Sequence, residues 1–419
     1  YLRERLATTH DAPNAPSAVV TIGNWDNFSL GVDFAENNMA TDPNHPTWFF
    51  TAYNTNAPHH TENGIDWAIN AANFGATMQG DPVVAYDSIG NLFYENMYGS
   101  SITGCKVIVS TNNGVTWGSS VTAIAGNDKN WICCDQTNGP FANYVYSTMT
   151  NGAPPGNFTR STDHGLTWTS TFSPSTQTLP GMMVCVGAKG NVPGGAVHVV
   201  TNSGSSFQST YTFYLSTDGG ATFIQKSAQQ FSNTVGTQVS GRNSVSNMRT
   251  RPYPMIAADN SYGQHRGRLY CVYASNDPPG NNSKSDVWCR YSDDDGTTWS
   301  SGVKINDDPN TTSYQQWHPA IWCDKETGRL YAMWMDTRDT PTNDSALIYA
   351  SYSDDGGATF VANQSISNAK MKIDCPSCGG GGTPRYEGDY NGVVSNKNVS
   401  MIGWTDFRNG NFQSMTAYF

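Results

Sequence analysis

The stretch YSDDDGTTWSSG, Tyr291 to Gly302, decides the fold because it returns along the chain. Close copies are VSTNNGVTWGSS from Val109, RSTDHGLTWTST from Arg160, LSTDGGATFIQK from Leu215 and YSDDGGATFVAN from Tyr352. Each approximates Ser-x-Asp-x-Gly-x-Thr followed by Trp or Phe. In the copy at Ser292, Asp294 is placed to accept hydrogen bonds from turn amides, and Gly296 supplies backbone geometry awkward for a residue with a Cβ. Thr298 ties the turn back, and Trp299 closes it over an apolar interior. The acidic position reads Asp163, Asp218, Asp294 and Asp355 in four copies, with Asn113 and Glu62 in two others. A metal cage or a general acid tolerates such replacement poorly, and the spacing lacks the dense oxygen ligands of a calcium loop. The box reads as a fastening.

A longer unit repeats around it. The boxes begin at His60, Ser110, Ser161, Ser216, Ser292 and Ser353, between 50 and 76 residues apart. Such lengths suit four short strands with surface insertions and do not suit alternating strands and long helices. The first two strands of a unit are legible in DPVVAYDSIGNLFYENMYG from Asp81, NWICCDQTNGPFANYVYSTMT from Asn130 and HPAIWCDKETGRLYAMWMDTR from His318. A further copy, GDYNGVVSNKNVSMIGWTDFRNG from Gly388, brings the count to seven. Radial packing of four-stranded sheets covers their faces and protects their edges. The expectation is an all-β chain forming a seven-bladed β-propeller over residues 17–419, with residues 1–16 as an N-terminal extension. Residues 17–23, SAVVTIG, are expected to complete the last blade beside the C-terminal QSMTAYF. A six-bladed propeller with a two-stranded insertion is the alternative.

Composition narrows the function. The formal charge of -11 and the absence of any basic tract argue against nucleic acid as partner. Charged residues are only 14% of the chain, so solubility rests on polar uncharged loops. No apolar run reaches the length of a transmembrane helix. The nine cysteines form no regular zinc pattern. Cys271 and Cys289 flank a hairpin whose pairing could bring them together as a disulfide, while the Cys375–Cys378 pair lacks the helix that follows a thioredoxin-like motif. His59 and His60 lack a third metal ligand. No cofactor is expected, and a structural calcium ion, though compatible with the architecture, has no specific motif.

The boxes resemble the Asp boxes, or BNR repeats, of the sialidase-like propeller superfamily, and the resemblance covers nearly the whole chain. It implies that the boxes lie opposite the usual ligand face, so that the site belongs in loops before the first strand and between the second and third strands of each blade. On this sequence those are the loops around Asn130, Arg251, His318 and Gly388, and around Asp277, Asp336 and Asp406. The superfamily includes sialidases, other glycan-active enzymes and noncatalytic proteins, so the fold leaves the reaction open. A standard sialidase is not expected: the chain has no Arg-Ile-Pro, and no arginine at all between Arg5 and Arg160.

The ligand-binding candidates on that face are Arg251, Trp317, His318, Arg338, Arg385 and Arg408. The catalytic candidates are Asp336, Glu387, Asp389, Tyr390 and Asp406, because glycoside hydrolysis commonly takes two carboxyl groups held across one bond. Tyr386 beside Glu387 offers a sialidase-like activated phenol as another arrangement. In MDTRD and WTDFRNG the acid and the arginine stand two apart, on one side of a continuing strand. Each pair either pins its own loop or offers an arginine to a carboxylate, sulfate or hydroxyl. The leading expectation is a secreted or cell-surface recognition protein that binds carbohydrate or another polar ligand, with a glycan or an extracellular protein as partner. The alternatives are a non-sialidase glycoside hydrolase or polysaccharide lyase, and a protein-interaction scaffold of a cell-surface assembly.

Overall fold

A computed structural model describes residues 19–22, 25–31, 35–54, 58–151, 155–205, 207–276, 284–309, 312–342, 344–373, 382–397 and 399–419. Cys375, Cys378, Asp277 and the stretch 1–16 lie outside the described residues. Within them the regular structure is β-strand, and the strands pair antiparallel. Seven sheets of four or five strands follow one another along the chain, and within each the chain steps from strand to neighbouring strand. Their first strands are Asn38–Thr41 in sheet I, Met78–Tyr86 in sheet II, Asp128–Cys134 in sheet III and Met183–Lys189 in sheet IV. Met255–Ala258, Gln316–Cys323 and Gly392–Asn396 begin sheets V, VI and VII. Each first strand packs against the first strand of the next sheet, and that of sheet VII against that of sheet I. This is the arrangement of a β-propeller. The seven first strands enclose an axial cavity of about 160 Å³, walled by Met39, Val84, Trp131, Met183, Ile256 and Ile321 among others.

The ring closes differently from the sequence-based expectation. The strand paired with Gln413–Tyr418 is Trp25–Gly31, and Val19–Ile22 pairs outside it as a fifth strand. Trp25–Gly31 carries a buried asparagine in its middle, which hides it among turn-like residues. Asn27 donates to the Ile366 carbonyl at 2.9 Å and accepts from the Asn368 amide at 2.8 Å, so a polar strand residue ties sheet VII to the end of sheet VI. Phe28 beside it packs edge-on against Tyr418 at 5.9 Å.

The box turns are built as hydrogen-bonded locks. In sheet III the Ser161 hydroxyl donates to Asp163 and accepts from the Gly165 amide, both at 2.8 Å. Asp163 also receives the Thr167 amide and hydroxyl. The glycine has a second task. Gly165 adopts a φ of 82°, and a Cβ there would stand 2.8 Å from the ring of Phe93 in sheet II. The same contact with the preceding sheet recurs for Gly114 on Phe50, Gly220 on Phe158, Gly296 on Phe213 and Gly357 on Tyr270. The box therefore closes its own turn and presses it against the neighbouring sheet.

Two assignments within the boxes are corrected. In sheet II the lock residue is Asn112, which receives the Ser110 hydroxyl and the Thr116 amide at 2.9 Å each. Asn113 instead donates to the Thr61 carbonyl at 2.8 Å and accepts from the Tyr86 hydroxyl, joining sheets I and II. In sheet I the turn is one residue shorter, so Thr61 and Asn63 take the roles expected of His60 and Glu62. The Cys271–Cys289 disulfide is also overturned. The register sets Cys271 opposite Arg290 and Cys289 opposite Val272. A one-residue offset puts the two thiols on opposite faces of the sheet, and both are free.

Between sheets IV and V the chain builds a small three-stranded sheet, Thr237–Val239, Arg242–Val245 and Met248–Arg249. It acts as a strap. Its last strand bridges to Arg385 before sheet VII, through Arg385 N to Asn247 O at 2.7 Å and Arg249 N to Arg385 O at 2.8 Å. The strap and the loops ahead of the first strands thus meet over one end of the axis.

Candidate functional site

The first strands begin on distorted backbone. Glu36, Asp81, Lys129 and His318 have φ values of 60°, 51°, 37° and 48°, and Gly181 and Gly388 stand at the matching approach to sheets IV and VII with φ of 107° and 94°. For residues with side chains this left-handed region is costly and needs surrounding contacts to hold it. In sheets II, III and VI the register shifts at the same place, between Gly80 and Val83, between Asp128 and Asn130, and between Trp317 and Ala320. Bulges of this kind re-aim side chains. Here they gather residues far apart in sequence into one group.

On one side of the group, Asp81 and Glu36 lie together, near enough that the charge of Glu36 acts on the Asp81 carboxyl. Burial, then the charge of Glu36, pushes the Asp81 carboxyl well above its ordinary value, against the pull of Lys129. Asn54 fixes the pair: its Nδ2 donates to Glu36 Oε2 at 2.9 Å and its Oδ1 accepts the Asp81 amide at 2.7 Å. Tyr386 joins through a contact of 3.3 Å between its hydroxyl and Asn54 Nδ2.

On the other side lies a tight ion pair. Asp389 accepts Arg249 Nε at 3.0 Å and Nη2 at 2.5 Å, with the Tyr253 hydroxyl at 3.3 Å and Arg251 Nε at 3.5 Å. Burial raises the Asp389 carboxyl, but Arg249 and Arg251 outweigh it and hold the group below its ordinary range. The Arg249 guanidinium lies 4.2 Å over the Tyr386 ring. Asp128 stands between the two sides: burial raises its carboxyl and Arg251 lowers it. Buried His318 is pushed down to about 4 and is neutral at pH 7. Burial holds the Tyr386 and Tyr390 phenols well above 10, so neither supplies a ready phenolate.

The structure therefore brings together Arg251, His318, Asp389 and Tyr390 from the expected set, with Tyr386 beside them. Arg385 contributes the backbone link to the strap, and Glu387 is buried in the same loop. Trp317 is fully buried in a core cluster and offers no sugar platform. Asp336 and Asp406 lie elsewhere, in two near-identical locks. Trp334 and Trp404 each donate an indole N–H at 2.9 Å to the acid two residues on. Arg338 and Arg408 grip the same acids through backbone and guanidinium. Their further partners include Asp307, Asp308, Asn363 and Asn368, so both pairs tie loops and do not join the axial group. His59 and His60 are buried strand residues of sheet I, and among the described residues no group of three His, Cys, Asp or Glu side chains is disposed to hold a metal ion.

No protein-family model matches the chain, and no curated protein does. Among solved structures, the GH74 xyloglucanase from Xanthomonas campestris superposes with a TM-score of 0.52 at 13% identity, covering 92% of this chain and 54% of that one. An α-L-arabinanase of Penicillium chrysogenum matches with a TM-score of 0.42 and 15% identity, over 69% of this chain and 92% of that one. The GH93 α-L-arabinofuranosidase of Fusarium graminearum matches with 0.41 and 14%, over 66% and 89%. At these identities the likeness is one of fold. No helix among the described residues is long and apolar enough to cross a membrane.

Glu36, Asp81, Asp128, Lys129 and Arg249 are not singled out by the sequence. A signal for one of them, Asp81, exists. Asp81-Pro82, Arg251-Pro252 and His318-Pro319 occupy the approach to three first strands, with a different titratable residue before each proline. A position that recurs while its chemistry changes is the mark of a site built around an axis.

Proposed function

We propose that the chain is a seven-bladed propeller of the sialidase-like type that hydrolyses a glycosidic bond of an extracellular glycan at this axial group. The seven sheets in cyclic contact support the blade count. The observation that carries the reaction is the buried pairing of Asp81 with Glu36, both tied to Asn54, beside a carboxylate held by two arginines. Carboxyl groups pushed in opposite directions at one site divide acid from base roles. Asp81, whose carboxyl is pushed upward by burial and by Glu36, is the proton donor to the leaving oxygen. Asp128, half-buried, is raised by burial and drawn back by Arg251, and it takes the base role by accepting a proton from the attacking water. Asp389 holds Arg249 and Arg251 in place and keeps the strap seated. The water oxygen bonds to the anomeric carbon as the bond to the leaving oxygen breaks and that oxygen takes the Asp81 proton.

A broad glycan screen tests this reading, scored for retained sugar and for released product. The wild-type chain is expected to release product, and Asp81→Asn and Glu36→Gln to abolish release while melting at the same temperature. Retention by the wild type without any product would assign recognition in place of hydrolysis. Failure of both would leave the propeller as a scaffold.

A further inference from the structure

Lys129 is the least satisfied charged group of the described residues around the axis. Its side chain is 1% exposed, and its Nζ has no hydrogen-bond partner among the described residues. An ammonium carries three donors and no acceptor, and leaving them unmet in a buried place costs several kcal/mol. Two aromatic faces cover it instead: Nζ lies 3.4 Å from the Tyr390 ring centroid and 5.1 Å from that of Trp131. Cation–π contact offsets part of the cost but supplies no acceptor. The position is imposed by the bulge and the left-handed backbone at Lys129, so the side chain has not drifted there by default. Trp131 continues into the wall of the axial cavity, and so does Asn391, whose buried Nδ2 is likewise without a partner.

We propose that Lys129 anchors the substrate by donating to its hydroxyl oxygens, and that the site takes a neutral sugar. The charges around it give the sugar its class. Four acids, Asp81, Glu36, Asp389 and Asp128, stand near enough to act on the Lys129 charge. Arg249 and Arg251 are already engaged by Asp389. A carboxylate or sulfate entering this group would lie close to those acids and find the two arginines taken. A pair of sugar hydroxyls satisfies the ammonium without adding charge, while Asn391 Nδ2 offers a further donor deeper along the axis. Few, well-placed polar groups over an apolar wall are how small-ligand sites fix orientation. This inference rests on the axial group being a sugar site and holds whether or not the sugar is cleaved.

The test is binding of single sugars to the whole chain, by calorimetry and by saturation-transfer NMR. The probes are glucose, galactose, mannose and arabinose, with glucuronic and galacturonic acid as charged counterparts. The expected result is that at least one neutral sugar binds more tightly than its uronic acid, with affinity falling about 10-fold to 100-fold in Lys129→Met. Lys129→Arg should recover part of that loss. If Lys129→Met does not fold, the 15N signal of Lys129 Nζ in the wild type is followed instead, and it should shift on sugar addition. Unchanged affinity in a folded Lys129→Met, preference for the uronic acid, a static Nζ signal, or no binding by any probe would overturn the proposal. Lys129-dependent binding without cleavage would remove hydrolysis and leave this inference standing; cleavage indifferent to Lys129 would do the reverse.

Discussion

The two ends of this molecule use the same residue types in opposite ways. At the box end, Asp163, Asp218, Asp294 and Asp355 take their hydrogen bonds from the turn they sit in, within four residues. Burial raises these carboxyls slightly, but hydroxyls and amides of the turn outweigh it, and Asp218 is held at about 2. At the axial end, Asp389 meets Arg249 across 140 residues of chain, and Asp81 meets Glu36 across the boundary between sheets I and II. There the carboxyls are driven both up and down, on backbone that is strained at four side-chain-bearing residues. A carboxylate that satisfies itself locally is a fastening. One that depends on distant partners, and disagrees with its neighbour about its proton, is equipped for chemistry.

The largest effect that could break this contrast is catalytic. On a glycan that the wild type cleaves, Asp81→Asn should lower kcat by about 1000-fold with little change in melting temperature, as expected for loss of a general acid. Residual activity within about 10-fold would move the proton donor elsewhere. Next comes Asp389→Asn, which leaves Arg249 and Arg251 partly buried without their anion. A loss of about 3 kcal/mol in urea unfolding is expected, together with loss of binding as the strap loosens. Smaller again is Asp218→Ala at the box end. Its turn loses several hydrogen bonds, so about 1–2 kcal/mol of stability should go while kcat and KM stay as they were.

The smallest effect separates the two ends by pH. His198 in sheet IV is fully buried, and burial lowers its pKa from 6.5 to about 4. Its folded value lies below its unfolded one, so the stability it contributes is complete above about pH 6.5 and lost as pH falls toward 4. Melting temperature should therefore drop by a few degrees over that range, and His198→Leu should flatten the drop. Equal slopes for the two proteins would remove His198 as the source of the drop. Asp81→Asn should steepen the drop, because a carboxyl raised in the fold adds stability as pH falls and opposes the loss from His198.

How much of the molecule is legible in its sequence follows the same division. The box announces itself because its partners are local, so the spacing of Ser, Gly and Trp survives repetition and fixes strands on either side. It misleads only where two asparagines stand together at Asn112 and Asn113, and where the first turn is a residue shorter. The closing strand Trp25–Gly31 escapes because Asn27 looks like a turn residue until its two bonds to Ile366 and Asn368 are seen. The loops before the first strands are the place to which the sequence points, and Arg251, His318, Asp389 and Tyr390 gather there. Asp336 and Asp406 draw attention through their neighbouring arginines, yet the indoles of Trp334 and Trp404 and those same arginines consume them. Glu36 and Lys129 are invisible for a physical reason. Their roles arise from bulges and left-handed backbone that aim them at one axis, and no local pattern records which residues will meet there.

The most direct measurement is kcat/KM on one cleaved glycan for the wild type, Asp81→Asn and Asp294→Asn under the same conditions. Asp294→Asn keeps the box amides as donors to a neutral oxygen, so it should retain wild-type turnover while Asp81→Asn falls by about three orders of magnitude. Equal activity in the wild type and Asp81→Asn, or loss of turnover in a stably folded Asp294→Asn, would contradict the claim that the chemistry lies at the axial end.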